Sequence, residues 1–139
     1  MMGGWPFLAR LCLVNLVLGG MTALPVNLYN RLMTVELALP ALLPGLLVAL
    51  HYAVQLSRPV WGHRSDAQGD RTRFVVGGTL ILGLGLLLAA FGIRTAPDNL
   101  MLALLLWAVA YVAIGLGIGA AGTSFLAMLA TAAPDERKG

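Results

Sequence analysis

A single cysteine, Cys12, is all the thiol chemistry the chain contains. That excludes a disulfide within the chain and a thiolate metal cluster. Charge is almost as scarce. Only 11% of the 139 residues are Asp, Glu, Lys or Arg, against about 25% in a soluble domain, and 59% are hydrophobic. A soluble chain of this length has no interior large enough to hide so much apolar surface, whereas a bilayer solvates it. Catalytic patterns are missing too. There is no nucleotide-binding glycine loop, no carboxylate pair inside an apolar run and no Ser/His/Asp set. Asp66, Asp70, Asp135 and Glu136 all fall in polar segments. The basic residues are dispersed among those segments instead of forming a patch, which argues against nucleic acid as a partner. No small-x-small cleavage site follows the first apolar run, so no cleavable signal peptide is expected.

What the chain has in quantity is long apolar runs. A bilayer core of roughly 30 Å needs about 20 apolar residues in a helix. Four stretches suit that requirement, at about residues 7–32, 39–56, 74–92 and 99–131. Helices are expected because lipid offers no partner to an unpaired backbone group, and no alternating pattern suggests a barrel. The expected fold is therefore all-α and transmembrane, a four-helix bundle in one domain, with membrane lipid as its surroundings. Residues 57–73 are polar and read as a loop, with Pro59 closing the second helix and Pro40 in its first turn. The fourth run exceeds a perpendicular span, so it must tilt, bend or protrude. Gly115, Gly117, Gly119 and Gly122 mark where bending is easiest.

The nine basic residues divide unevenly. Arg10, Arg58, Arg64, Arg71, Arg73, Arg137 and Lys138 fall on one side, and Arg31 and Arg94 on the other. The positive-inside rule then places both termini and the 57–73 segment in the cytoplasm. Small residues at helical spacing, Gly115 with Gly119, Ala113 with Gly117 and Ala121, Thr79 with Gly83, and Gly78 with Gly85, fit close helix packing or a dock for a partner or flat macrocycle. Trp5 and Trp61 fit the cytoplasmic interface belt, and Trp107 and Tyr111 the outer part of the fourth helix. Asn15 is expected to hydrogen-bond across helices.

The 57–73 segment carries Gly62, Asp66 and Gly69 followed by Arg71 and Arg73. This spacing resembles the loop between helices two and three of the major facilitator superfamily, with Ala67 and Asp70 standing where basic residues are usual. There the aspartate is thought to cap a neighbouring helix and pair with a basic residue. Together with Glu36, the run Pro40-Ala41-Leu42-Leu43-Pro44-Gly45 and the segment Arg58-Pro59-Val60-Trp61-Gly62, the chain resembles the PucC/LhaA family, a pigment-linked branch of that superfamily. The resemblance implies the N-terminal third of a major facilitator fold in the photosynthetic inner membrane of a bacterium. It also implies a role in handling bacteriochlorophyll during light-harvesting antenna assembly, with antenna or reaction-centre subunits as partners. The family is expected to have twelve helices, and four cannot enclose a central cavity. The residues Pro134-Asp135-Glu136-Arg137-Lys138-Gly139 resemble the loop that would lead into a fifth. A truncated transporter, or a pigment-free small subunit of a larger complex, are the other readings.

His51, Gln55 and Arg58 fall at i, i+4 and i+7 on one face, with Tyr52 at its edge. Polar groups at membrane depth are costly to turn towards lipid, so this face should meet protein, pigment or water. His51 is either an axial ligand to the magnesium of bacteriochlorophyll or an interhelical hydrogen-bonding group. His63 is expected to be solvated. Asn27, Asn30, Arg31 and Glu36 gather at the outer end of the first hairpin, as a headgroup-level anchor or as a grip on pigment carbonyls.

Overall fold

A computed structural model describes residues 5–132. Arg137, Lys138 and the 134–139 segment, on which part of the charge count and the fifth-helix reading rest, lie outside them. The described residues form helices without a strand: α1 (Trp5–Ala23), two π-helical stretches (Leu24–Tyr29 and Leu32–Glu36), α2 (Leu42–Val54), a 3-10 turn (Gln55–Ser57), α3 (Arg58–Gln68), α4 (Arg71–Thr95) and α5 (Leu100–Ala132). Three helical runs, Trp5–Glu36, Arg71–Thr95 and Leu100–Thr131, are long and apolar enough to cross a membrane. The second expected span is shorter than the sequence suggested. α2 has 13 residues and reaches further only through the 3-10 turn and α3.

The loop expected at 57–73 is mostly helix. Pro59 does not end a helix there; it occupies the first turn of α3, where its missing N–H costs nothing. Gly69, at φ +67°, supplies the left-handed residue that stops α3. Asp70 then caps α4 by accepting the Arg73 N–H at 3.3 Å. Polarity marked the segment as aqueous, and a helix with a solvated face is equally polar.

Pro25, which has no N–H to donate, stands in the first turn of the first π-helical stretch and loosens the ladder there. Tyr111 of α5 donates its hydroxyl to the Pro25 carbonyl at 3.1 Å, and Tyr29 donates to the Leu86 carbonyl of α4 at 3.0 Å. The first run ends with Ala38 at φ +50°, where the Leu39 N–H reaches back to the Met33 carbonyl at 2.9 Å.

α4 and α5 form the packed centre. Asn99 caps α5 by accepting the Leu102 N–H at 3.0 Å. Burial here runs through Leu82, Leu86 and Ala89 on α4, and through Ala103, Trp107, Tyr111 and Ile114 on α5. Lipid is as apolar as these side chains, so their burial alone does not hold two helices together; close backbone approach does. A Cβ on Gly117 would lie 2.5 Å from the Leu82 nitrogen and 2.6 Å from the Gly78 carbonyl oxygen. One on Gly85 would lie 2.8 Å from Ile114 Cγ1. Of the glycines expected to bend α5, Gly115, Gly117 and Gly119 instead let neighbours approach it, Gly122 faces open space, and α5 runs unbroken over 33 residues. Trp107 and Tyr111 are core residues, not members of an interface belt: both are fully buried. The Trp107 indole fills the space above Gly92 and donates to the Ala89 carbonyl at 3.1 Å.

Gly117→Ala should therefore destabilise the helical core by about 1–3 kcal/mol, because the added methyl meets backbone that must move. Gly122→Ala, whose Cβ meets nothing within 4 Å, should not. Thermal unfolding of both variants in one detergent checks this, and matching midpoints would contradict it.

Candidate functional site

The largest concentration of polar groups facing an apolar cavity lies between α1, the α2–α3 rod and α5. Gly115 brings the rods together, since a Cβ there would lie 2.8 Å from the His51 carbonyl oxygen and from Val54 Cβ. A cavity of about 320 Å³ opens beside this contact, near the low end of the roughly 300–1,000 Å³ of small-molecule sites. Asn15 and Thr22 border it from α1, His51 and Gln55 from the second rod, Arg58 from the start of α3, and Phe125 from α5.

The expected face at i, i+4 and i+7 is a hydrogen-bonded chain. Arg58 donates Nη2–H to Gln55 Oε1, and the Gln55 amide nitrogen stands 2.7 Å from His51 Nε2. A guanidinium only donates, so Gln55 Oε1 must accept, and its NH2 must then donate to His51 Nε2. This fixes the tautomer: the imidazole proton sits on Nδ1. His51 is buried at 2% exposure, and Nδ1 has no hydrogen-bond partner. Tyr52 is half exposed and meets the imidazole edge-on, with ring centroids 4.9 Å apart. The axial-ligand role expected for His51 needs a free imidazole lone pair, and in this arrangement neither nitrogen offers one. The residues as placed do not fit magnesium ligation.

The other expected residues are dispersed. Asp66 Oδ1 accepts from Arg71 at 2.9 Å, and Arg71 also donates to the Ala127 carbonyl and to Thr131 Oγ1 of α5, each at 3.2 Å. Pairing and capping, expected of one aspartate, are thus divided: Asp66 pairs, and Asp70 caps. Gly62 lies against Thr123 of α5, at 3.3 Å for an added Cβ, and Gly69 ends α3. Arg73 is 3.9 Å from Asp70 and largely exposed. This clasp borders a different part of the molecule from the cavity. At the far end, Arg31 and Glu36 are both exposed and form no ion pair with each other among the described residues, while Asn27 donates to the Ala23 carbonyl of its own helix at 3.0 Å. Asn30 is half-buried, and its carbonyl accepts from Thr34. These four do not converge on a ligand-sized space. His63 is exposed, as expected.

Asn15 borders the cavity and makes no side-chain hydrogen bond across helices among the described residues, contrary to expectation. Gly19, Thr22 and Gly122 were not singled out as site residues. Asn15, Gly19 and Thr22 recur at i, i+4 and i+7, and this small and polar stripe on α1 was the available signal.

Comparison with known proteins gives one family and one relative. The family described as "PUCC protein" matches residues 28–139. The "Bacteriochlorophyll synthase 44.5 kDa chain" of Rhodobacter capsulatus is 53% identical over 135 residues, which cover 97% of this chain and 32% of that protein. The chain thus spans about a third of the length of the curated relative it matches. No solved structure matches.

The clasp makes a prediction of its own. Asp66→Asn should cost less than about 1 kcal/mol, because the carboxylate is mostly exposed. Arg71→Ala also frees the Ala127 carbonyl and Thr131, so it should speed amide exchange over the last turns of α5 where Asp66→Asn does not. Equal exchange in the two variants would contradict that division.

Proposed function

The chain belongs to the PUCC protein family, and on that premise we propose that it holds or hands on bacteriochlorophyll while the light-harvesting antenna is assembled. The observation that carries this reading is the cavity beside His51, lined by polar and apolar side chains together, in a chain 53% identical to a protein named for bacteriochlorophyll. A macrocyclic pigment needs an apolar surface for its ring and a few directed polar contacts for its carbonyl groups. Leu18, Ile118 and Phe125 supply the first, and His51, Gln55 and Tyr52 the second. The light chemistry belongs to the pigment; the protein orients it and keeps water away.

The pigment is cargo in this reading and the chain is a carrier, without catalysis. What supports a carrier is the lining itself, apolar at Leu18, Ile118 and Phe125 and polar at Asn15, Thr22, His51 and Gln55, which suits holding an amphiphilic ring. The setting is the inner membrane of a photosynthetic bacterium, crossed several times, with antenna or reaction-centre subunits as partners. Both termini and α3 face the cytoplasm, following Arg10, Arg58, Arg64, Arg71 and Arg73 against Arg31 and Arg94. The helices correspond to the N-terminal third of a major facilitator fold, and α1, whose outward side chains such as Leu13 and Leu16 are largely exposed, has room for further helices beside it.

The tagged chain, purified in mild detergent from a photosynthetic host, should carry bacteriochlorophyll absorption bands together with antenna or reaction-centre subunits. Gly122→Leu should fill the cavity without disturbing the fold and remove most of the pigment. A colourless preparation that retains those subunits would favour a pigment-free structural subunit. A colourless chain without them would overturn the assembly reading.

A further inference from the structure

Two groups at the cavity are left incomplete by the protein itself. His51 Nδ1 carries a proton, is buried and has no acceptor. Arg58 gives one N–H to Gln55 and has no carboxylate partner among the described residues, whose ion pairs are Arg71–Asp66 and Arg73–Asp70. Arg58 is exposed at the mouth, where an anion can replace the water on its guanidinium, and a buried N–H without an acceptor costs about 1–3 kcal/mol. Both deficits have one sign: each lacks an acceptor. Thr22 donates its hydroxyl proton to the Leu18 and Gly19 carbonyls at 2.9 Å, and its oxygen accepts from neither His51 nor Arg58 among the described residues. Among the described residues, no Asp or Glu borders the cavity. The remaining wall is apolar, and Gly19 and Gly122 leave open space where a side chain would stand.

We propose that the cavity takes an amphiphile bearing a carboxylate, held at the mouth by Arg58 and the Gln55 amide beside it rather than through a metal ion on His51. This deepens the pigment reading and rests on it for the body of the ligand alone: the cargo is then a macrocycle whose carboxylate is free instead of esterified. The anionic head completes Arg58 at the mouth, and the ring or hydrocarbon lies along Leu18, Ile118 and Phe125. The Gln55 amide, locked by Arg58, keeps His51 in the tautomer that donates.

Four probes separate the alternatives on the purified chain in nanodiscs: metal-free bacteriopheophorbide as the free acid, its methyl ester, the zinc complex of that methyl ester, and palmitate. The free acid should bind more tightly than its methyl ester by about tenfold to a hundredfold, the range of a charge-assisted hydrogen bond. Arg58→Gln should erase that preference, and Gly122→Leu, checked for unchanged helicity, should abolish binding of both. If the zinc methyl ester binds more tightly than the metal-free acid, the carboxylate inference fails while the pigment reading stands. If palmitate binds in an Arg58-dependent way and no macrocycle does, the ligand class stands and the pigment reading fails. Binding of none of the four overturns both.

Discussion

The backbone contact between α4 and α5 is the constraint on which the rest depends. In water, burial of Leu82, Trp107 and Ile114 would suffice to join two helices. In lipid it contributes little, because the surroundings are as apolar as the side chains. Gly78, Gly85 and Gly117 replace that missing drive with close approach, and Gly92 makes the room that lets Trp107 turn inward. Once α5 is fixed against α4, the other elements find their partners on it. Tyr111 reaches Pro25, Gly115 receives the α2 backbone at His51, and Arg71 clasps the end of α5. The first run is held more loosely, by two tyrosine hydrogen bonds across π-helical turns.

A separate glycine contact, between α5 and α2, shapes the cavity. Because Gly115 draws α2 against α5 while Gly122, two turns on, meets nothing, the two rods touch at one level and part at the next. His51, Gln55 and Arg58 lie along that parting, and α1 closes it with Asn15 and Thr22. The polar chain runs from an exposed cation to a buried imidazole beside an otherwise apolar wall.

Much of this was legible in the residues. The apolar runs at 7–32, 74–92 and 99–131 fall on the three helical runs long enough to span; Gly78 and Gly85 of α4 meet Gly117, Ala121 and Ile114 of α5, whereas Gly115 and Gly119 face His51 and Trp61, and Gly83 faces Met21. The face of His51, Gln55 and Arg58 followed from a period of 3.6. The failures have physical causes. Residues 57–73 look like a loop from polarity alone, which distinguishes water from lipid and says nothing about helix against coil; Pro59 and Gly69 are the start and stop signals of α3. Trp107 and Tyr111 were placed in a belt because amphipathic rings favour interfaces. Their burial depended on Gly92 and on the carbonyl exposed at Pro25, which are partners remote in sequence. The tautomer of His51 required the order of three hydrogen bonds, which spacing alone does not set.

The central claim is that the space between α1, α2 and α5 is where the ligand sits. Cys12 is the chain's one cysteine, and Gly122 lies on the cavity with room for a side chain. A chain carrying Cys12→Ser and Gly122→Cys therefore places a single thiol at the site. Its rate of maleimide labelling in nanodiscs, with and without added bacteriochlorophyll-derived macrocycle, is the most direct measurement. The account predicts that the macrocycle slows labelling at 122 and leaves labelling of Cys12 in the parent chain unchanged. An unchanged rate at 122 under conditions where the macrocycle is bound would place the ligand elsewhere and contradict the account.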